Sequence, residues 1–179
     1  MYHSCAIIGH RPTRFKFKYK ENCQSCIRLK MQLQKELIHL YERGVCRFLV
    51  DGGVGVGQWA GEILLRLKEQ AGYRDIALVI VSPYPSHDAN WDERSKARLA
   101  FLIQHSSGYI ITGTHAGRES YVRRNKYLVD HADCLLAIFD RNLSVVSDTE
   151  RSMIYAKKRH LPFILIDPNT AATLYCKND

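Results

Sequence analysis

The chain has 179 residues, 46% of them hydrophobic and 25% charged, which predicts one domain spanning residues 1–179 with a substantial core. It has no apolar run of bilayer length and no secretory h-region, so a cytoplasmic location without membrane association is expected. The net charge of +8 points toward anionic partners, and much of that excess is local.

In chain order, Cys5–Ile8 reads as a first strand, followed by the turn Gly9-His10-Arg11-Pro12. Arg11, Arg14, Lys16, Lys18 and Lys20 come next with no acid among them, interleaved with Phe15, Phe17 and Tyr19. Such a stretch either binds nucleic acid or is a solvated loop whose rings cover a core edge. Cys23-Gln24-Ser25-Cys26 is a lone CxxC with no second ligand pair at matching spacing, so no metal site is expected. The pair reads as a redox couple at a helix start or as ordinary buried thiols.

A long helix covers Cys23 to Arg43, stopped by Gly44, and Val45–Val50 is the second strand. A second helix begins near Gln58, with Ala60, Ile63, Leu64, Leu67 and Ala71 on one face, and ends at Gly72. Ile76–Val81 is a continuous apolar run, as in a parallel strand covered on both sides. Pro83 and Pro85 break the chain before a helix from Trp91 to His105. Then come a strand at Tyr109–Ile111, a helix from Arg118 to Ala132 and a strand at Cys134–Phe139. A helix from Asp148 to Arg159, a strand at Phe163–Ile166 and a loose tail from Pro168 complete the chain. This alternation predicts a Rossmann-like, doubly wound α/β fold, with a mainly parallel sheet and helices on both faces.

The segment richest in chemistry is Asp51-Gly52-Gly53-Val54-Gly55-Val56-Gly57, a glycine turn between strand and helix. Helix N-termini offer free N–H groups and a positive dipole end, so the turn reads as a phosphate or carboxylate site, or as a tight turn that only packs helix on strand. The spacing does not fit an NAD-dependent dehydrogenase, because the turn follows the second strand and no acid ends the next one. No Gly-Lys-Ser/Thr follows, which excludes a P-loop. Glu62, early in that helix, is a candidate for a ribose hydroxyl or for acid–base work, and equally for a dipole-stabilising acid. Asn125 falls on one face with Tyr121, Leu128 and Ala132, which predicts a buried amide bonded to loop backbone, flanked by Arg124. That pair either closes a ligand cleft or stitches loops together. Asp130 and Asp133 oppose the dipole at the helix end, so at least one should have a partner such as an arginine.

Taken together, Gly9-His10-Arg11-Pro12, the Cys26–Lys30 helix segment, the glycine turn leading into Trp59-Ala60-Gly61-Glu62, Trp91, and Arg124-Asn125-Lys126-Tyr127-Leu128-Val129-Asp130 with Ala132-Asp133 form a set. This set resembles the YpsA-like branch of the SLOG superfamily, a bacterial-type family of unknown function. The resemblance runs from about Ala6 to Ile166. It implies a Rossmann-like sheet and a site for nucleotides or nucleotide-derived molecules such as ADP-ribose. Related LOG-type proteins are phosphoribohydrolases, and DprA binds single-stranded DNA. Gly9, Arg11, Gly55, Glu62, Arg124 and Asn125 match the pattern. Two positions depart from it: Gly57 stands where relatives carry an Asp, and Val145-Val146-Ser147-Asp148-Thr149 replaces a Gly-Gly-Thr, with Thr149 alone retained.

Three functions follow, and the sequence leaves catalysis undecided. The first is a nucleotide-binding sensor or regulator, requiring no cofactor and open to homo-oligomer formation. Its ligand-binding residues would be Gly9, His10, Arg11, Gly52, Gly53, Gly55, Gly57, Glu62, Arg124, Asn125 and Thr149. The second is an N-glycosidic hydrolase with Glu62 and Arg124 as catalytic candidates. The third is a single-stranded-DNA binder using the Arg11–Lys20 stretch.

Overall fold

A computed structural model describes residues 2–142 and 146–176. The apolar runs become strands β1 (Ser4–Gly9), β2 (Arg47–Val50), β3 (Ala77–Ser82), β4 (Gly108–Ile111), β5 (Cys134–Ile138) and β6 (Phe163–Ile166), with a further strand β7 at Thr173–Cys176. The sheet runs β4-β3-β2-β1-β5-β6-β7. All pairs are parallel except β6–β7. Helices α1 (Gln24–Glu42), α2 (Val56–Lys68), α3 (Glu93–His105), α4 (Arg118–Asp130) and α5 (Asp148–Lys158) connect the strands.

Alternate residues of each central strand serve opposite layers, as the two-residue period demands. Cys5 and Ile7 of β1 pack with Leu29, Leu33 and Leu37 of α1, Leu64 of α2 and Leu102 of α3. Ala6 and Ile8 pack with Leu128 and Val129 of α4 and Met153 and Ala156 of α5. This two-sided cover explains why the strands read as unbroken apolar runs, and it is the doubly wound α/β arrangement expected from the alternation.

The tail from Pro168 is not loose throughout: β7 pairs antiparallel with β6, from Ile166↔Thr173 to Phe163↔Cys176. Asp167 builds the reversal, its carboxylate accepting the N–H groups of Asn169 (2.8 Å) and Thr170 (3.1 Å). With Leu174 and Tyr175 exposed, this edge strand carries no apolar signature. Helix α2 stops at Lys68 rather than Gly72, and a short 3₁₀ turn at Ala71–Tyr73 fills the interval.

Successive crossovers place β2, β3 and β4 on one side of β1, and β5 and β6 on the other. The direction of winding therefore reverses between β1 and β5. In open α/β sheets a crevice forms there, outside the carboxyl ends of the strands.

Candidate functional site

The crevice at that reversal has two chambers. The first, about 430 Å³, is walled by the ends of β1 and β2, the start of α2, the loop after β3 and the first turns of α4. The second, about 360 Å³, lies between β1, α4 and the start of α5. Gly9, His10, Arg11, Thr13, Asp51 and Arg124 line both.

The glycine turn accommodates an anion of the chain's own. Gly55, with φ of +96°, is the N-cap of α2, and no side chain caps that end. A Cβ on Gly57 would lie 2.0 Å from Asp51 Oδ1, so only glycine leaves room for that carboxylate. Asp51 accepts the N–H of Gly53 at 2.9 Å and meets Arg124 Nη1 at 3.3 Å. Gly9, Gly53 and Gly57 face the first chamber, while Gly52 and Gly55 shape the turn without lining it.

His10 is 1% exposed. Its Nε2 accepts the N–H of Asp140 at 3.0 Å, which assigns the ring proton to Nδ1. Burial and the charge of Arg14 push its pKa down to about 4, so the ring is neutral at pH 7. Arg11 is exposed, as expected for a cleft residue, with its guanidinium 5.7 Å from the Tyr121 ring centroid. Among the described residues it has no acidic partner.

Helix α4 corrects the expected phase. Its inward residues are Ser120, Arg124, Leu128 and Val129. Asn125 is half-buried, and its Oδ1 accepts from Arg124 Nε at 2.8 Å rather than bonding loop backbone. The buried group is Arg124, held by Asp51, by Asn125 and by the Tyr121 ring at 5.5 Å. The pair therefore sits at the cleft, with Arg124 lining both chambers and Asn125 the second.

Glu62 is placed elsewhere. Helix α2 turns it toward α3, where Arg98 donates to both its oxygens at 2.6 and 2.9 Å. It lines neither chamber. Arg98 also donates to both oxygens of Glu21, and Lys30 pairs with Glu21 as well. Thr149 lines the second chamber with Ser147, Asp148 and Ser152. Ser147 caps α5 by accepting the N–H of Glu150. Of the stretch replacing Gly-Gly-Thr, Val145 lies outside the described residues.

The basic stretch divides. Phe15 stacks on Trp59 and Phe17 on Phe15, at 5.6 and 5.1 Å between centroids, so these rings cover a core edge. Tyr19, Lys16, Lys18 and Lys20 remain exposed. Cys26 is fully buried, and burial raises its thiol to about 11, so it packs as a small hydrophobe. Asp130 pairs with Arg159 at 3.5 Å, whereas Asp133 accepts the backbone N–H groups of His3 and Ser4.

Asp51, His87, Asn90, Trp91, Asp92 and Tyr121 also line the first chamber. None of them was among the expected ligand-binding residues. The available signal was position: Asp51 directly follows β2, and His87 to Asp92 lie in the loop after β3, both at strand carboxyl ends.

The profile of the YspA SLOG family matches residues 5–171, and the chain belongs to that family. A UPF0398 protein of Staphylococcus epidermidis is 26% identical over 124 residues, covering 68% of this chain and 65% of the relative. The match thus spans just under two thirds of that relative's length. A UPF0398 protein of Bacillus licheniformis is 24% identical over 141 residues, covering 77% of this chain and 75% of the relative. Among solved structures, DNA processing protein A from Helicobacter pylori, described for its single-stranded DNA binding mode, superposes with a TM-score of 0.58 at 16% identity. That superposition covers 92% of this chain and 65% of the other. At this identity the likeness establishes the fold. No helix among the described residues is long and apolar enough to cross a membrane.

Proposed function

We propose that this member of the YspA SLOG family binds a nucleotide-derived small molecule across the two chambers and acts as a sensor or regulator. The observation that carries the reading is Arg11: a guanidinium without an acidic partner among the described residues, in the wall of both chambers, beside the start of α2, which no side chain caps. In a chain that pairs the buried cleft arginine, Arg124, with Asp51, an unpaired cation on a concave surface, with Arg14 nearby in the second chamber, is arranged for an anion from outside. A phosphate held by Arg11 and the first N–H groups of α2 places the rest of the ligand against Asp51 and Arg124. Asp51, at the end of β2, replaces Glu62 as the carboxylate available to sugar hydroxyls. The reading needs no further cofactor.

Thermal melting across nucleoside mono- and diphosphates, ADP-ribose and NAD tests the proposal, because a ligand of the native state raises the midpoint. At least one compound is expected to raise it, and a flat response across the set would overturn the reading. The hydrolase alternative loses its assigned carboxylate, since Glu62 is occupied by Arg98 outside the cleft. Release of free base from a nucleoside monophosphate would restore it.

A second reading is favoured by Tyr19, which lines the first chamber, is 64% exposed and is flanked in sequence by the exposed Lys16, Lys18 and Lys20. Exposed rings and cations together suit a single strand, with bases stacking and phosphates paired. Oligonucleotide affinity that falls steeply with salt would support it.

A further inference from the structure

The first chamber has an end that phosphate binding does not use. The loop between β3 and α3 folds over the carboxyl end of β3 and brings His87 into the chamber wall with Asn90 and Trp91. His87 is 8% exposed, yet neither ring nitrogen makes a hydrogen bond of normal geometry, its contact with the Tyr84 backbone being too poorly formed to count as one. Its ring stands edge-on to Trp91 at 5.3 Å and to Tyr84 at 6.1 Å, and Tyr84 stands edge-on to Tyr121 at 5.8 Å. A buried polar ring with both nitrogens unsatisfied is costly to keep, and such groups in native proteins usually have a partner or a task. Burial pushes its pKa below the usual histidine value, so the ring is uncharged at neutral pH. An uncharged imidazole has one N–H donor and one bare acceptor. This is the wrong equipment for a phosphate and the right equipment for a ring edge carrying both a donor and an acceptor.

We propose that His87, with the Trp91 ring beside it in the chamber wall, is the subsite that reads the planar heteroaromatic ring of the ligand, the base of a nucleotide, while Arg11 holds the phosphate. The inference rests on the phosphate-binding reading of the same cleft and adds the class of group taken at its other end. Stacking on an aromatic wall supplies affinity for any base. His87 supplies selectivity, because a site built to hydrogen-bond a ring edge rejects a ligand that leaves it unpaired.

Calorimetric titrations of the whole protein with AMP, GMP, CMP, UMP and ribose 5-phosphate test this, using wild type, His87→Phe and Arg11→Ala. At least one nucleoside monophosphate is expected to bind wild type about tenfold or more tighter than ribose 5-phosphate. His87→Phe keeps the aromatic packing and should remove most of that preference while leaving ribose 5-phosphate affinity unchanged. His87→Asn, which keeps a donor and an acceptor, should retain part of it, and carries the test if the Phe variant loses its folded circular dichroism. Equal binding of all five probes to wild type, or a preference untouched in the His87 variants, overturns the ring subsite. If Arg11→Ala still weakens ribose 5-phosphate in that case, the phosphate-binding reading stands without it. If no probe binds wild type, the ring subsite falls, and the phosphate-binding reading falls with it only if the melting screen is flat as well.

Discussion

Arg11 and Arg98 both bear on the segment between β1 and α1, and they are treated in opposite ways. Arg98 donates to both oxygens of Glu62 and both of Glu21, which fastens the segment to α2 and α3. Arg11 belongs to the segment itself, reaches both chambers and meets no acid among the described residues. Residue type does not separate a structural arginine from a ligand-binding one. What separates them is whether the fold has already satisfied the charge. Carboxylates separate by place instead: Glu62 and Asp51 each meet an arginine, but Glu62 does so outside the cleft while Asp51 lines both chambers.

The largest expected effect comes from breaking the clamp. Arg98, Glu21 and Glu62 side chains are only 16%, 23% and 30% exposed. Arg98→Met leaves Glu62 without its cation and Glu21 with Lys30 alone, which should lower unfolding free energy by about 2–3 kcal/mol, below the range for a fully buried pair because of residual exposure. Ligand affinity should hold. A loss under about 1 kcal/mol would class the clamp with ordinary surface ion pairs.

Acid titration should resolve the two regions in separate windows. At Glu21, burial works to raise the pKa, but hydrogen bonds from Arg98 and Lys30 prevail and hold it at about 2 against an ordinary 4.5. A carboxyl depressed on folding stabilises fully above its unfolded pKa, and that share is lost as pH falls from 4.5 toward 2. His10 is depressed by burial and Arg14 from 6.5 to about 4. The unfolded chain therefore takes up its proton first, and stability declines as pH falls from 6.5 toward 4. His87, its pKa also lowered by burial, contributes with the same sign. Melting temperatures across pH should fall in two stages, and Arg98→Met should remove the Glu21 share of the lower one only. An unchanged lower stage in that variant would contradict the assignment.

The smallest stability effect belongs to Arg11. Arg11→Ala should stay within about 0.5 kcal/mol of wild type in the absence of ligand, as a surface substitution does. It should weaken an anionic ligand by about tenfold or more, the size of a charge-assisted bond. A ligand-free loss well above 1 kcal/mol would place Arg11 with Arg98 on the structural side of the contrast.

The layers of the fold were legible because apolar runs and helical periodicity are local. So was the placement of Gly9, His10 and Arg11 at a strand end. The partner of Glu62 was not legible, because Arg98 comes from another helix and no local pattern links the two. The phase of α4 was misread for a related reason. The spacing puts Asn125 inward with Arg124 at its flank, yet Asp51, far away in sequence, makes the burial of Arg124 tolerable and turns the helix toward it. β7 escaped notice because an edge strand with exposed Leu174 and Tyr175 shows no apolar run. His87 carried no sequence mark beyond its loop, since only the folded loop shows its ring nitrogens to be unmatched.

The reversal of winding at β1 has a consequence for how the chain assembles and comes apart. β1 is made first, but it borders β5 as well as β2, so one of its edges waits for the later part of the chain. The boundary between β1 and β5 is thus a seam between an early half and a late half, and contacts across it are among the most distant in the sequence. The cleft straddles that seam, with Arg11 on the early side and Arg124, Ser147 and Thr149 on the late one. A ligand lying across it would act as a stitch, slowing the parting of the two halves and protecting the exposed edge of β1 from other chains.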